Sequence, residues 1–190
     1  MSQEIHLVTG NPNKLRELRQ VFPAELGLGV IKLDITEIQP DFTSDVPPAH
    51  QVVGHKLDEA YSKLGMPVIV EDISAELGCL NGLPGPYIKA HEQVLGRDAL
   101  WHLAEPYEDR SVHISATMGY FDGTRREIVD GVLEGTVVAP RGTVGWGFDF
   151  VVVPTGETQT LAELGSEVKN RISHRYKAAQ AMASVLFGKQ

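Results

Sequence analysis

The sequence predicts an α/β fold with a strand-rich second half, and three observations carry that prediction. Short apolar runs bounded by glycine or proline alternate with amphipathic helical stretches through residues 5–104. Three strand-like segments then follow one another between residues 111 and 153. A last helical stretch, residues 173–187, closes the chain. That order of elements suits a mixed sheet with helices packed on it.

Ile5-His6-Leu7-Val8 reads as a short strand running into the turn Thr9-Gly10-Asn11-Pro12-Asn13-Lys14. Pro12 stands where a helix favours its first residue and Asn11 where it favours its cap. Leu15, Leu18 and Phe22 then recur at helical spacing. Residues 28–35 look like a second strand, and residues 39–49, with Pro40, Pro47 and Pro48, like a loop. Val53, Leu57, Ala60, Tyr61 and Leu64 form the apolar stripe of a clear helix that Gly65 ends. Val68-Ile69-Val70 is a buried-type strand that ends in Glu71-Asp72. Residues 78–87 are an ordered Gly/Pro loop, and residues 91–104 a helix. Segments 111–121, 125–138 and 148–153 are strands, the first two joined by a turn at Asp122-Gly123. The last helix starts at Ser173, carries Ala178, Ala181, Met182, Val185 and Leu186 on its apolar face, and stops at Gly188.

A chain of 190 residues with 42% hydrophobic residues can bury a core as one domain or as two tightly joined lobes. No apolar run reaches about 18 residues, so no membrane span is expected. The acidic start Met1-Ser2-Gln3-Glu4 is unlike a signal peptide. The one cysteine, Cys79, allows no internal disulfide and no cysteine metal site, which points to a cytoplasmic protein. A net charge of −8 argues against a nucleic-acid surface. An acidic enzyme can still take a triphosphate if a few local cations and a divalent metal offset the ligand's charge.

Several positions can carry chemistry. The turn Thr9 to Lys14 joins a strand tip to a helix start, an arrangement that binds anions, although it is equally a capped turn with a solvated lysine. It lacks the glycines of a Walker loop. Glu71-Asp72 at a strand's carboxyl end can hold magnesium or orient a water, with one of the two facing the site because side chains alternate, or both can be solvated turn residues. Trp146-Gly147-Phe148-Asp149 sets two rings about a glycine, able to sandwich a base or to fill core. His174 and Arg175 open a helix against its dipole, so they are either base-reading donors or exposed basic residues after a Ser173 cap. Lys169 just upstream can reach a phosphate. Lys56 and Glu37 read by themselves as surface residues.

Taken together, five motifs resemble those of the inosine triphosphate pyrophosphatase family, the Ham1-like hydrolases of non-standard purine triphosphates. They are Thr9-Gly10-Asn11-x-x-Lys14, Val70-Glu71-Asp72, Gly82-Leu83-Pro84-Gly85-Pro86-Tyr87-Ile88-Lys89, Ala139-Pro140-Arg141-Gly142 and Lys169-Asn170-x-x-Ser173-His174-Arg175. They run in order over nearly the whole chain. The resemblance implies one pyrophosphatase domain over residues 1–190, in a two-lobed, mixed-sheet Maf/Ham1-like α/β fold with a central substrate cleft, and a homodimer. It implies magnesium-dependent cleavage of ITP, dITP and XTP to the monophosphate and pyrophosphate, which cleanses the nucleotide pool. By position, Thr9, Asn11, Lys14, Lys56 and Lys169 would bind the phosphates. Asp72 would hold Mg2+ and activate water, with Glu37 as the second metal-linked acid. Trp146, Phe148, Asp149, Ser173, His174 and Arg175 would frame the base, with Arg175 near the six-position oxygen. One departure is Phe150, where the family commonly has proline, and it bears on the local backbone path. A preference for other triphosphates, or a binding protein without turnover, are the rival readings; a substrate panel separates them.

Overall fold

β1 (Ile5–Val8) buries Ile5 and Leu7 and lies between β2 (Leu28–Ile31) and β3 (Val68–Leu77), parallel to both. The computed structural model describes residues 4–19, 21–22 and 28–188, so the opening Met1, Ser2 and Gln3 lie outside the described residues. α1 (Pro12–Leu18) starts at the proline as expected, and Leu18 and Phe22 are buried. β4 (Pro84–Gly85) pairs antiparallel with β3; β5 (Ser111–Phe121) and β6 (Arg126–Val137) follow, and β7 (Val152–Pro154) pairs antiparallel with β6. The strands form one mixed sheet in the order β2-β1-β3-β5-β6-β7, with β4 on β3.

α2 (Pro48–Leu64) has proline at its start, and Gly65 caps its end at φ 63°, donating its N–H to Tyr61 O at 2.8 Å. Among the described residues the further helices are α3 (Ile88–Leu95), α4 (Ala99–Ala104), α5 (Leu161–Ile172) and α6 (His174–Phe187).

Several expected boundaries change. β2 ends at Ile31 instead of running to 35. β3 continues five residues beyond Asp72, so Glu71 and Asp72 sit mid-strand rather than at its tip. Residues 91–104 are not one helix, because Gly96, at φ 82°, separates α3 from α4. Gly147–Phe150 is a 3-10 turn, not the start of a strand. α5 is a helix absent from the sequence reading, although Thr160 and Glu163 form its capping box.

The chain divides into two compact units. The first comprises residues up to Asp72, Ala116–Gly131 and the chain from Arg175 onward; the second comprises Ile73–Ser115 and Val132–His174. In the first, Val53, Leu57 and Ala60 of α2 pack with Val68 and Val70 of β3. Gly119 of β5 permits this approach, since a Cβ there would come within 2.6 Å of Val53 and 2.7 Å of Leu57. In the second, Leu100, Ile114, Val137, Phe150, Val152 and Leu161 lie in one core. Among the described residues no helix is long and apolar enough to cross a membrane.

Candidate active site

β3 places Glu71 and Asp72 on opposite faces, and their surroundings differ accordingly. The Glu71 side chain is 1% exposed and lies between two cations. Arg175 Nε donates to its Oε1 at 2.7 Å, and Lys14 Nζ lies 3.2 Å from its Oε2 and 3.4 Å from its backbone oxygen. Arg175 also donates through Nη1 to Glu17 Oε2 at 2.5 Å. Burial pushes the Glu71 carboxyl up, but Lys14 and Arg175 outweigh it and hold the group below the usual carboxylate range. Burial likewise pulls Lys14 down, only partly opposed by Glu71. For Arg175 the order reverses: burial works against its charge, yet Glu71 and Glu17 raise it further.

Asp72 faces a different neighbour. Its side chain is 17% exposed, and Lys56 of α2 donates to its Oδ1 at 2.5 Å. Lys56 therefore points from the helix to the acid, not into solvent as a surface lysine would. Thr9 uses its hydroxyl to accept the Asn11 N–H at 3.1 Å, which shapes the turn that leads into Lys14. Glu37 is exposed, in the irregular segment after β2. Glu17 is the residue that sequence reasoning missed here; it stands three positions after Lys14, a helical spacing that puts both on one side of α1.

A second group lies in the other unit. The turn Gly147–Phe150 is closed by Asp149, whose Oδ2 accepts the Trp146 N–H at 3.0 Å. The same oxygen accepts from Lys169 Nζ at 2.7 Å, and that ammonium stands 4.7 Å from the centre of the Trp146 ring. Phe148 and His174 pack with ring centroids 5.7 Å apart. Ser173, His174 and Arg175 are all buried, not exposed basic residues after a cap. Ser173 caps the end of α5 and leads directly into α6. Phe150 is buried in the core with Arg97 stacked 4.2 Å from its ring centre. Glu92 of α3 was not expected: its Oε1 is buried without a hydrogen-bond partner among the described residues. Burial, then the Asp149 charge, push its carboxyl up to about 7.

The structure thus brings Lys14 together with Glu71 and Arg175, Lys56 with Asp72, and Lys169 with Asp149 and Trp146. Lys169 keeps company with the residues assigned to the base, and Lys14 and Lys56 with the acids of β3.

A sequence model described as the Ham1 family matches residues 5–185. The chain belongs to the Ham1 family. This Ham1 chain is 38% identical to an inosine triphosphate pyrophosphatase of Batrachochytrium dendrobatidis, over 93% of this chain and 90% of that protein. It is 37% identical to one of Yarrowia lipolytica, over 92% of this chain and 91% of the relative. Its fold is similar to that of a HAM1 protein from Coxiella burnetii, with a TM-score of 0.81 and 23% identity over 98% of this chain and 100% of the other. A nucleoside-triphosphatase, dITP/XTP pyrophosphatase, from Mycobacterium abscessus matches with a TM-score of 0.69 and 26% identity, covering 97% and 100%.

Proposed function

We propose that this Ham1 protein hydrolyses non-standard purine nucleoside triphosphates, ITP, dITP and XTP, to the monophosphate and pyrophosphate, with Mg2+ as cofactor. The observation that carries the reading is Asp72: a solvent-reachable carboxylate held by Lys56, beside a Glu71 whose charge is already neutralised by Lys14 and Arg175. Of the paired acids, Glu71 is sealed from solvent and Asp72 is the one that water can reach. The likeness to inosine triphosphate pyrophosphatases over most of the chain supports the substrate class.

The donor set fits magnesium. Among the described residues no group of three or more His, Cys, Asp or Glu could hold a metal by itself. Mg2+ needs no such cage, because one or two carboxylates, substrate phosphate oxygens and waters complete its octahedron. Asp72 and Glu37 would be the protein ligands, and the ion would offset triphosphate charge and favour departure of pyrophosphate. Asp72 takes the proton of a water that attacks the α-phosphorus, and the oxygen bridging the α and β phosphorus atoms leaves with pyrophosphate. Thr9, Asn11, Lys14, Lys56 and Lys169 take the phosphate role. Trp146, Phe148, Asp149, Ser173, His174 and Arg175 would frame the base. A donor such as Arg175 meets the six-position oxygen of hypoxanthine or xanthine; adenine puts an amino group there, and an unpaired buried donor costs about 1–3 kcal/mol, roughly 5- to 150-fold in preference.

The deciding experiment is pyrophosphate release from ITP, XTP, GTP and ATP, each with and without Mg2+. Fast Mg2+-dependent release from the first two with little from the others is expected. No release from any of them would refute the enzymatic reading.

A further inference from the structure

One row of polar side chains on α2 has no part in the chemistry above. His55, Glu59 and Lys63 stand four residues apart and so share one side of the helix. All three reach the irregular segment that follows β2. Lys63 Nζ donates to Asp34 O at 2.5 Å and to Glu59 Oε1 at 2.7 Å. Glu59 Oε2 accepts the Thr36 backbone N–H at 3.0 Å, and its Oε1 accepts the Thr36 hydroxyl at 3.3 Å. His55 Nε2 lies 3.0 Å from Thr36 O and 3.1 Å from Glu59 Oε2. Both backbone groups of Thr36 are therefore met by helix side chains. An exposed segment needs no such partners, since water satisfies its N–H and C=O groups, and ordering long side chains costs entropy. Lys63, first, and then the Thr36 N–H hold the Glu59 carboxyl below its ordinary range, so it is a full anion and a strong acceptor at neutral pH.

What the row secures is the residue before Glu37. The same helix carries Lys56, next to His55, and Lys56 holds Asp72 at 2.5 Å. One rigid helix thus grips the acid of β3 with one side chain and the segment bearing Glu37 with three. Mg2+ tolerates little departure from octahedral geometry, so a carboxylate on an irregular segment serves it only if that segment is fixed.

We propose that His55, Glu59 and Lys63 are positioning residues that set the Glu37 carboxylate in register with Lys56 and Asp72. The inference rests on the reading of Glu37 as the second metal-linked acid.

The test compares the unmodified chain with Glu59→Ala, Glu59→Gln, His55→Ala, Glu37→Gln and the Glu37→Gln/Glu59→Ala pair. Three quantities are read: hydrogen exchange of the Thr36 amide, Mn2+ affinity by electron paramagnetic resonance with Mn2+ alone, and the Mg2+ concentration for half-maximal ITP turnover. Glu59→Ala is expected to expose the Thr36 amide and to weaken both metal readouts about 10-fold, the lower end for groups that orient a ligand. KM for ITP at saturating Mg2+ should stay within about twofold, since none of the three is assigned to substrate or metal. Glu59→Gln retains an acceptor for the Thr36 N–H and should recover most of the loss; His55→Ala should act in the same direction as Glu59→Ala but by only about threefold. In the Glu37→Gln background, Glu59→Ala should add nothing. If Glu37→Gln weakens metal binding but Glu59→Ala and His55→Ala do not, the positioning role is overturned while the reading of Glu37 stands. If Glu37→Gln leaves metal binding unchanged, that reading falls and takes the proposal with it. A chain that releases no pyrophosphate would refute the proposed function alone, and the exchange and Mn2+ measurements would still decide the positioning.

Discussion

Glu92→Gln should stabilise the protein at alkaline pH and leave it nearly unchanged near pH 5. Glu92 Oε1 is buried without a hydrogen-bond partner among the described residues, and 3.0 Å separates it from where a Cβ on Gly147 would lie. Burial first, and Asp149 second, raise its carboxyl from 4.5 to about 7. The sign follows from proton uptake. Below pH 4.5 both the folded and the unfolded chain carry the proton. Between that value and about 7 the folded chain keeps a proton the unfolded chain has lost, so stability falls as pH rises; above about 7 the loss is complete. The interval of roughly 2.5 pH units, at about 1.4 kcal/mol each, bounds the effect at about 3.5 kcal/mol. Glu92 is only partly buried, so solvent screening reduces this to about 1–2 kcal/mol. Glutamine keeps the shape and removes the ionisation. For a chain of this size the gain corresponds to roughly 3–6 °C in Tm. Thermal melts of both proteins at pH 5 and pH 8.5 give the answer. An equal Tm difference at the two pH values, or a less stable variant at pH 8.5, would refute the argument.

Two further substitutions separate the paired acids of β3. Asp72→Asn should lower the turnover of ITP by about 10²-fold or more, as expected on losing a general base and metal ligand, with little change in far-UV circular dichroism; turnover within about threefold of the unmodified chain would remove Asp72 from the chemistry. Glu71→Gln should act on stability instead. It leaves Lys14 and Arg175 buried beside each other without their shared anion, at a cost of about 3–5 kcal/mol, or roughly 10 °C in Tm. A Glu71→Gln protein that melts within about 2 °C of the unmodified chain would show that this buried cluster contributes less than its geometry demands.

The sequence by itself determined whatever local periodicity and capping encode. The stripe Val53, Leu57, Ala60 with Gly65 behind it specifies α2, because an apolar face at helical spacing can be buried in only one way. The apolar run before Glu71, the turn at Asp122-Gly123 and the ordered motifs specified the α/β class and the family. The α5 start is also legible in the capping-box spacing of Thr160 and Glu163. Tertiary structure sets the end of β3, which runs past Asp72 because Ala75 and Leu77 are buried with the second core. Charge pairing lay beyond sequence altogether. Lys14 meets Glu71 across 57 residues and Arg175 meets it across 104, and no local pattern encodes which acid of Glu71-Asp72 is neutralised. Burial decides that, since an ion leaves water only where a counter-charge waits, and only the packed chain puts the two together. The same holds for Lys169, whose pairing with Asp149 beside the Trp146 ring no local pattern encodes, and for Glu92, an unremarkable helix residue whose carboxyl is shifted because folding buries it and sets the Asp149 charge near it.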